Sequence, residues 1–434
     1  MIKELIRDFN YIKNPILHIP VTFTKRALFG KTPYWRQYFW NKWGFLERDA
    51  INALRNKKVL WINAISGGEI TQAVSFCKNL RKKFSNYRTL LSTDSQDAFY
   101  YAKSIHMSDY IIDAPWDIKS IVHRCLKDVH PVAIIYIENA YYPKLLMEAK
   151  NLGIKNILIS ARMNENVLKG HILFKRAEKM KFFNYIDVIA AKTEKDKNNF
   201  IALGYNPKNI CVLGDLRYDL EYIRLDNEEK ENLRKELGFL KRDKIFLAGS
   251  VHKIEFELVL NAYSKARAKI SGLKMIMAPR WFYEIAELKS LLKSRDLNFK
   301  SRSDYSNRKD FDVLILDTFG ELARTYGISD VVYIANSIIP INERGAGHNV
   351  IEPLAHGKPI VFGKYMNFWR DITKEIKNIC PQCEVNSIEE LETRICELLT
   401  NANLIKELKT LGRRVSLERS GAVGRYIKFI EEIA

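Results

Sequence analysis

G-A-G-H-N-V-I-E-P-L-A-H-G-K-P-I-V-F-G, residues 345 to 363, sets glycine, helix, glycine and strand in that order. Gly345 and Gly347 predict a turn that other residues make only with strain. A short helix is expected from Val350 to His356, a second turn at Gly357, and a buried strand from Pro359 to Phe362. A glycine turn feeding a helix N-terminus gathers backbone N–H groups and the positive end of the helix dipole at one spot, which suits a phosphate. Glu352 lies about one turn into that helix, where a carboxylate accepts from paired ribose hydroxyls. The same residues also fit a plain tight loop followed by a helix whose early Glu favours its own dipole. This stretch alone leaves both readings open.

Upstream, apolar runs rich in β-branched residues lead to this stretch. Ile245 to Gly249, Leu273 to Ala278, Val313 to Asp317 and Val331 to Ala335 read as strands that precede Pro359 to Phe362. An earlier series comprises Lys58 to Asn63, Tyr87 to Ser92, Tyr110 to Asp113, Pro131 to Glu138, Asn156 to Ser160, Asp187 to Ala191 and Ile210 to Gly214. Between the first two of these, Ile70, Ala73, Val74, Cys77 and Leu80 recur at helical spacing. Continuously apolar strands alternating with helices mean parallel sheets covered on both faces. The expected fold is α/β, with two Rossmann-like parallel-sheet domains facing a cleft at the carboxyl ends of their strands. A basic, aromatic segment covers 1–46 and a first domain 47–220. A polar linker with an exposed helix follows at 221–243, then a second domain at 244–410 and a C-terminal helix at 411–434.

A chain of 434 residues calls for two cores, and 47% hydrophobic with 28% charged residues describes an ordinary globular protein. Seventy Lys and Arg against 51 Asp and Glu give a net charge of +19, which attracts polyanions: phosphorylated substrates, anionic lipid or nucleic acid. The charge is spread over both domains without an RNA-binding motif, so no nucleic acid is expected as a partner. The six cysteines are scattered as in a reducing compartment, and Cys380-Pro-Gln-Cys383 is expected to carry free thiols. The N-terminus shows no cleavable signal. Its longest early run without Lys, Arg, Asp or Glu, Asn14 to Thr24, is too short to span a bilayer. Trp35, Tyr38, Phe39, Trp40, Trp43 and Phe45 lie among Lys and Arg, a mixture that suits a membrane interface as well as a helical cap on the first domain.

Several polar residues fall at expected strand ends. Ser66-Gly67-Gly68-Glu69 follows the first strand. Ser with Glu three residues on is a capping box; alternatively, Glu69 is a general base, ionised at neutral pH and able to take a hydroxyl proton. Glu138 ends the most apolar strand, Arg162 follows the next, and Arg280 holds the same place in the second series. Gly249-Ser250-Val251-His252 and Asp317-Thr318-Phe319-Gly320-Glu321-Leu322 end two more strands. There is no P-loop and no G-x-G-x-x-G fingerprint, which counts against an NTPase or a dinucleotide enzyme. No Asp-x-Asp pair stands at a strand end, so the expected chemistry uses no metal and no cofactor.

In order along the chain, these motifs resemble those of the 3-deoxy-D-manno-oct-2-ulosonic acid (Kdo) transferases of lipid A biosynthesis, which have the GT-B glycosyltransferase fold. The resemblance runs from about Pro15 onward. It rests on W-I-N-A-I-S-G-G-E at 61–69, A-P-W-D at 114–117, E-N-A-Y-Y-P at 138–143, S-A-R-M-N at 160–164 and G-D-L-R-Y-D at 214–219. It continues with G-S-V-H at 249–252, A-P-R at 278–280, D-T-F-G-E-L at 317–322, A-G-H-N-V-I-E-P at 346–353 and Asn367-Phe368.

The resemblance implies an inverting, metal-independent transfer from CMP-Kdo, the donor substrate, to a lipid A precursor such as lipid IVA. It places the protein at the anionic cytoplasmic face of the bacterial inner membrane. Glu69 becomes the catalytic base, with Glu138 as a second catalytic candidate. Ser250, His252, Pro279, Arg280, Gly320, Glu321, Leu322, Gly347, Asn349 and Glu352 fall on donor-site motifs. Ser66, Gly68, Arg162 and Arg217 are candidates for the acceptor or its phosphates. The chain departs from the family pattern at Ala140, Tyr142, Lys253, Ile254, Trp281 and Ala335-Asn336. Those departures keep a related GT-B transferase or epimerase with another nucleotide sugar as the alternative, and the charge keeps a basic nucleic-acid-binding protein as a more distant one.

Overall fold

The computed structural model describes residues 33–94, 96–140, 142–163, 184–219, 225–304, 310–341, 347–367 and 369–433. Gly345, Phe368 and the first 32 residues, on which part of the reading above falls, lie outside them. The chain divides into two compact units, one of Met1–Arg217 with Ser420–Ala434 and one of Tyr218–Arg419.

The first unit is a parallel sheet of β1 (Lys58–Asn63), β2 (Tyr87–Thr93), β3 (Tyr110–Asp113), β4 (Pro131–Ile137), β5 (Lys155–Ala161), β6 (Val188–Ala191) and β7 (Ile210–Val212). Its order is β3-β2-β1-β4-β5-β6-β7. Trp61, Ile62, Ile134, Ile135 and Tyr136 are fully buried, because helices cover both faces and alternation is lost. Each such side chain contributes about 1.5–3 kcal/mol through its burial. Strand order reverses direction between β1 and β4, which opens a crevice outside their carboxyl ends.

The second unit repeats the plan with β8 (Lys244–Val251), β9 (Leu273–Pro279), β10 (Phe299–Ser301), β11 (Val313–Ile315), β12 (Val331–Ile334) and β13 (Ile360–Phe362). Its order is β10-β11-β9-β8-β12-β13, so the reversal falls between β8 and β12. The edge strand β10 escaped the sequence reading: with three residues and Lys300 at its centre, it has no apolar run to betray it.

Some boundaries differ from expectation. The exposed helix expected within the linker stretch is present, Asn227–Glu236, capped by Asp226 and Glu229, but its Leu233 is buried in the core of the second unit. The expected single C-terminal helix is two, Ala402–Arg419 and Ala422–Ile433, with Gly421 at φ +84° between them. The second of these belongs to the first unit. Its Tyr426 packs edge-on against Phe76 and accepts the Ser160 N–H at 2.9 Å. Cys380 and Cys383, expected as free thiols, form a disulfide; the turn Pro381–Cys383 brings their Cα atoms to 5.5 Å.

The described part of the N-terminal segment is a helix, Pro33–Lys42, fastened to the first unit. Lys42 is buried, pairs with Asp94 and donates to the Ala114 carbonyl at 2.8 Å. Phe39 and Leu46 are buried with it, while Trp40 (44%) and Phe45 (45%) stay exposed. Among the described residues no helix is long and apolar enough to cross a membrane.

Candidate active site

In the first unit the crevice between β1 and β4 is edged by Ser66, Gly68 and Glu69 on one side and Glu138 on the other. The capping box exists as drawn from the sequence: the Glu69 N–H donates to Ser66 Oγ at 3.3 Å. Glu69 Oε2 accepts the Ile65 N–H at 2.6 Å and, more weakly, the Ser66 N–H at 3.4 Å. Capping and catalysis are not rivals here. The cap holds a half-exposed carboxylate at the carboxyl end of β1, the position that a base would need.

Glu138 sits differently. It follows β4 in a left-handed conformation, φ +65°, and is 9% exposed. Arg162 Nη2 lies 2.8 Å from Oε1, Lys192 Nζ 3.5 Å from the same oxygen, and Gln72 Nε2 donates to Oε2 at 2.7 Å. Burial opposes its charge, but Lys192, Arg162 and Arg217 with the Gln72 bond outweigh it, and the pKa falls to about 2. A carboxylate held that far down is a poor proton acceptor near neutrality, so Glu138 is better suited to orient cations than to act as a base.

The same network takes in Asp215. Arg217 Nε meets its two oxygens at 3.0 and 2.9 Å, and Lys192 Nζ is 3.7 Å away. Burial also opposes the charge of Asp215, yet Arg217 and Lys192 hold its pKa well below the usual carboxylate range. Lys192 is 5% exposed, and among the described residues its ammonium makes ion contacts but no hydrogen bond. Burial, then the neighbouring Arg217, push its pKa down. Three cations therefore face two carboxylates at the ends of β4 to β7. The sequence reading found Arg162, Arg217 and Glu138 but missed Lys192, Asp215 and Gln72. Lys192, in A-A-K-T after β6, could have been found by the strand-end argument that found Arg162.

In the second unit the crevice lies between β8 and β12. Ser250 takes φ +58° there, and His252 follows, 5% exposed. His252 Nε2 lies 3.1 Å from His348 Nε2, with the rings tilted by 30°. Burial, Arg280 and the neighbouring His252 hold the His348 pKa well below its ordinary value, so one imidazole donates and the other accepts. Pro279 closes β9, and the exposed Arg280 places its guanidinium 5.2 Å from the Trp281 ring centre. His348 belongs to the opening stretch of the sequence but was passed over there.

The opening stretch itself is more self-occupied than its sequence implied. Gly347 takes φ +82°, as the turn requires, but its N–H donates to the Asn336 carbonyl at 2.8 Å. Asn349 Oδ1 accepts the Ile351 N–H at 2.9 Å, which occupies the first N–H of a helix of only five residues, Ile351–Ala355. Glu352 is 9% exposed. Glu321, after Gly320 at φ +85°, is gripped by Arg302 through Nε at 3.1 Å and Nη2 at 2.8 Å. Burial resists its charge but the Arg302 bonds prevail and lower its pKa. Leu322 packs, partly buried, against the hydrophobic core. Arg302, behind the unrecognised edge strand, was invisible in the sequence.

Residues 37–220 match the family described as 3-Deoxy-D-manno-octulosonic-acid transferase (kdotransferase). A 3-deoxy-D-manno-octulosonic acid transferase of Haemophilus influenzae is 26% identical over 409 residues, covering 92% of both chains. The first unit thus matches the Kdo transferase family model, and the chain resembles enzymes of that name over most of its length. An enzyme of the same name from Aquifex aeolicus is 27% identical over 356 residues, 82% of this chain and 90% of that one. A solved glycosyltransferase from Rickettsia africae superposes with a TM-score of 0.55 at 14% identity, over 87% of this chain and 99% of that one. At that identity the likeness speaks for the fold, which is GT-B.

Proposed function

We propose that the protein transfers Kdo from CMP-Kdo to a lipid A precursor such as lipid IVA, with inversion and without a metal. The observation that carries this reading is the strand-end chemistry in each unit. One unit holds a carboxylate at the carboxyl end of β1 beside a cluster that holds Arg162, Lys192 and Arg217. The other holds Arg280 after β9 and two paired imidazoles, His252 after β8 and His348 beside the end of β12. A phosphorylated acceptor suits the first and a nucleoside monophosphate the second. In the transfer, the acceptor hydroxyl oxygen bonds to the anomeric carbon as the bond from that carbon to the CMP phosphate oxygen breaks. The electron pair leaves with CMP, and the hydroxyl proton passes to Glu69. Arg280 and neighbouring N–H groups stabilise the charge growing on the phosphate.

We assign the charge stabilisation to side-chain cations, Arg280 among them. Trp40 and Phe45, in edge-to-face contact, with the Arg124 guanidinium 4.2 Å from the Phe45 ring centre, would rest on anionic lipid at the cytoplasmic face of the inner membrane. The test is CMP release from CMP-Kdo with lipid IVA, with products weighed by mass spectrometry, with and without EDTA. Release that needs both substrates, yields a Kdo adduct and ignores EDTA is expected. Turnover of a different nucleotide sugar, or strict dependence on Mg²⁺ or Mn²⁺, overturns the reading.

A further inference from the structure

Glu255 is fully buried at the turn between β8 and the helix Phe256–Lys269, and among the described residues no basic side chain pairs with it. Its carboxylate instead accepts two hydrogen bonds. The Tyr333 hydroxyl donates to Oε1 at 2.7 Å and the Asn336 N–H to Oε2 at 2.7 Å. The Glu255 N–H in turn donates to the His252 carbonyl at 2.8 Å. These bonds join residues on both sides of the β8/β12 reversal. Asn336, bent to φ +60°, passes the constraint on: its carbonyl accepts the Gly347 N–H at 2.8 Å and its Oδ1 the Ile341 N–H at 2.8 Å. The Ala335 carbonyl accepts the His348 N–H at 3.3 Å. One buried residue thus connects the His252 backbone to the turn that carries His348 and Asn349.

We infer that Glu255 is a positioning residue for the nucleotide half-site: it ties the end of β8 to the turn after β12 and so sets where His252, His348 and Asn349 stand. The inference rests on the reading of this half-site as the place of the CMP moiety. Burying a carboxylate without a cation is costly, and burial indeed raises the Glu255 pKa to about 7 in spite of its hydrogen bonds. A group of that cost is out of place as packing, since an apolar residue would fill the space without it. It fits the need to hold two segments that must not drift apart.

The full-length protein tests this with Glu255→Ala, Glu255→Asp and Glu255→Gln. CMP affinity is read by calorimetry, KM for CMP-Kdo and for lipid IVA by turnover, and the imidazole ¹⁵N resonances of His252 and His348 by pH titration. Gln keeps an acceptor for the Asn336 N–H and can turn its amide toward the Tyr333 oxygen, so it should stay within about fivefold of wild type. Ala leaves the segments untied, and Asp keeps the charge but lacks the reach. Either should weaken CMP by roughly 10- to 100-fold, the scale of an ångström's misplacement, with KM for the lipid unchanged. His348, released from its buried contact, should titrate nearer its ordinary value in both.

If Ala does not fold, the Asp and Gln pair carries the comparison. Wild-type CMP affinity in Asp with an unmoved His348 titration overturns the inference, as does an equal rise in both KM values. A wild-type protein that ignores CMP, while His348 still moves in Asp, upholds the tie and rejects the nucleotide reading instead.

Discussion

Replacing Glu138 by Gln removes the charge that three cations share while keeping its size and the left-handed backbone. In the wild type the Glu138 carboxyl is lowered from 4.5 to about 2, and its side chain is only 11% exposed. At about 1.4 kcal/mol per pKa unit, that depression corresponds to about 3 kcal/mol of stability at neutral pH. The folded value lies below the unfolded one, so this stability is present above pH 4.5 and is lost as pH falls from there toward 2. Gln at 138 takes away the carboxylate charge that Arg162 and Lys192 contact, and a buried cation that loses a charged partner is costly. For a unit of this size, about 1 kcal/mol moves Tm by about 2–4 °C, so Glu138→Gln should melt roughly 6–12 °C lower at pH 7.5. The gap should narrow on acidification, because the wild type then loses what the variant already lacks. Adding Lys192→Met should recover part of the loss, since it removes the cation left short of a partner. Thermal unfolding of all three proteins at pH 7.5, 4.5 and 3.5 reads this directly. A neutral-pH Tm within 2 °C of wild type, or an acid slope as steep as the wild type's, would refute the view that Glu138 anchors the cluster.

Glu69→Gln should keep its cap, because a carboxamide oxygen accepts the Ile65 N–H equally well; stability should change by about 0.5 kcal/mol or less while turnover falls roughly 10²- to 10⁴-fold. Near-normal turnover in the folded variant would remove Glu69 from the chemistry. Trp40→Ser with Phe45→Ser should weaken binding to anionic vesicles without lowering Tm, since both rings are exposed; deleting the whole segment is a poorer test because Lys42 is buried in the first unit. Unaltered vesicle sedimentation of the double variant would count against the interfacial role. At Gly363 an added Cβ would stand 2.2 Å from the Ser337 carbonyl oxygen, so Gly363→Ala should cost about 1–3 kcal/mol in urea unfolding, and a neutral result would mean that this approach is looser than described.

Much of the fold was legible in the sequence because a strand buried on both faces must be apolar throughout. Pro131–Ile137 and Leu273–Pro279 announce themselves in this way, and the edge strand Phe299–Ser301 does not. The strand-end position of Glu69, Glu138, Arg162, His252 and Arg280 was equally readable, since it follows from where each apolar run stops. Which of these side chains act together was not. Lys192 and Asp215 reach Glu138 and Arg217 only because β4 to β7 lie side by side, and Arg302 meets Glu321 from 19 residues upstream.

The difference is physical. Burial, capping and glycine turns are local consequences of residue type, so the chain by itself determined two parallel-sheet units and the capped turn that presents Glu69. Charge state is a sum over neighbours that the fold alone brings together. Tertiary structure therefore decided that Glu138 is a deeply ionised anchor, that His348 is a partner of His252, and that the N–H groups expected to be free at Gly347 and Ile351 are already spoken for.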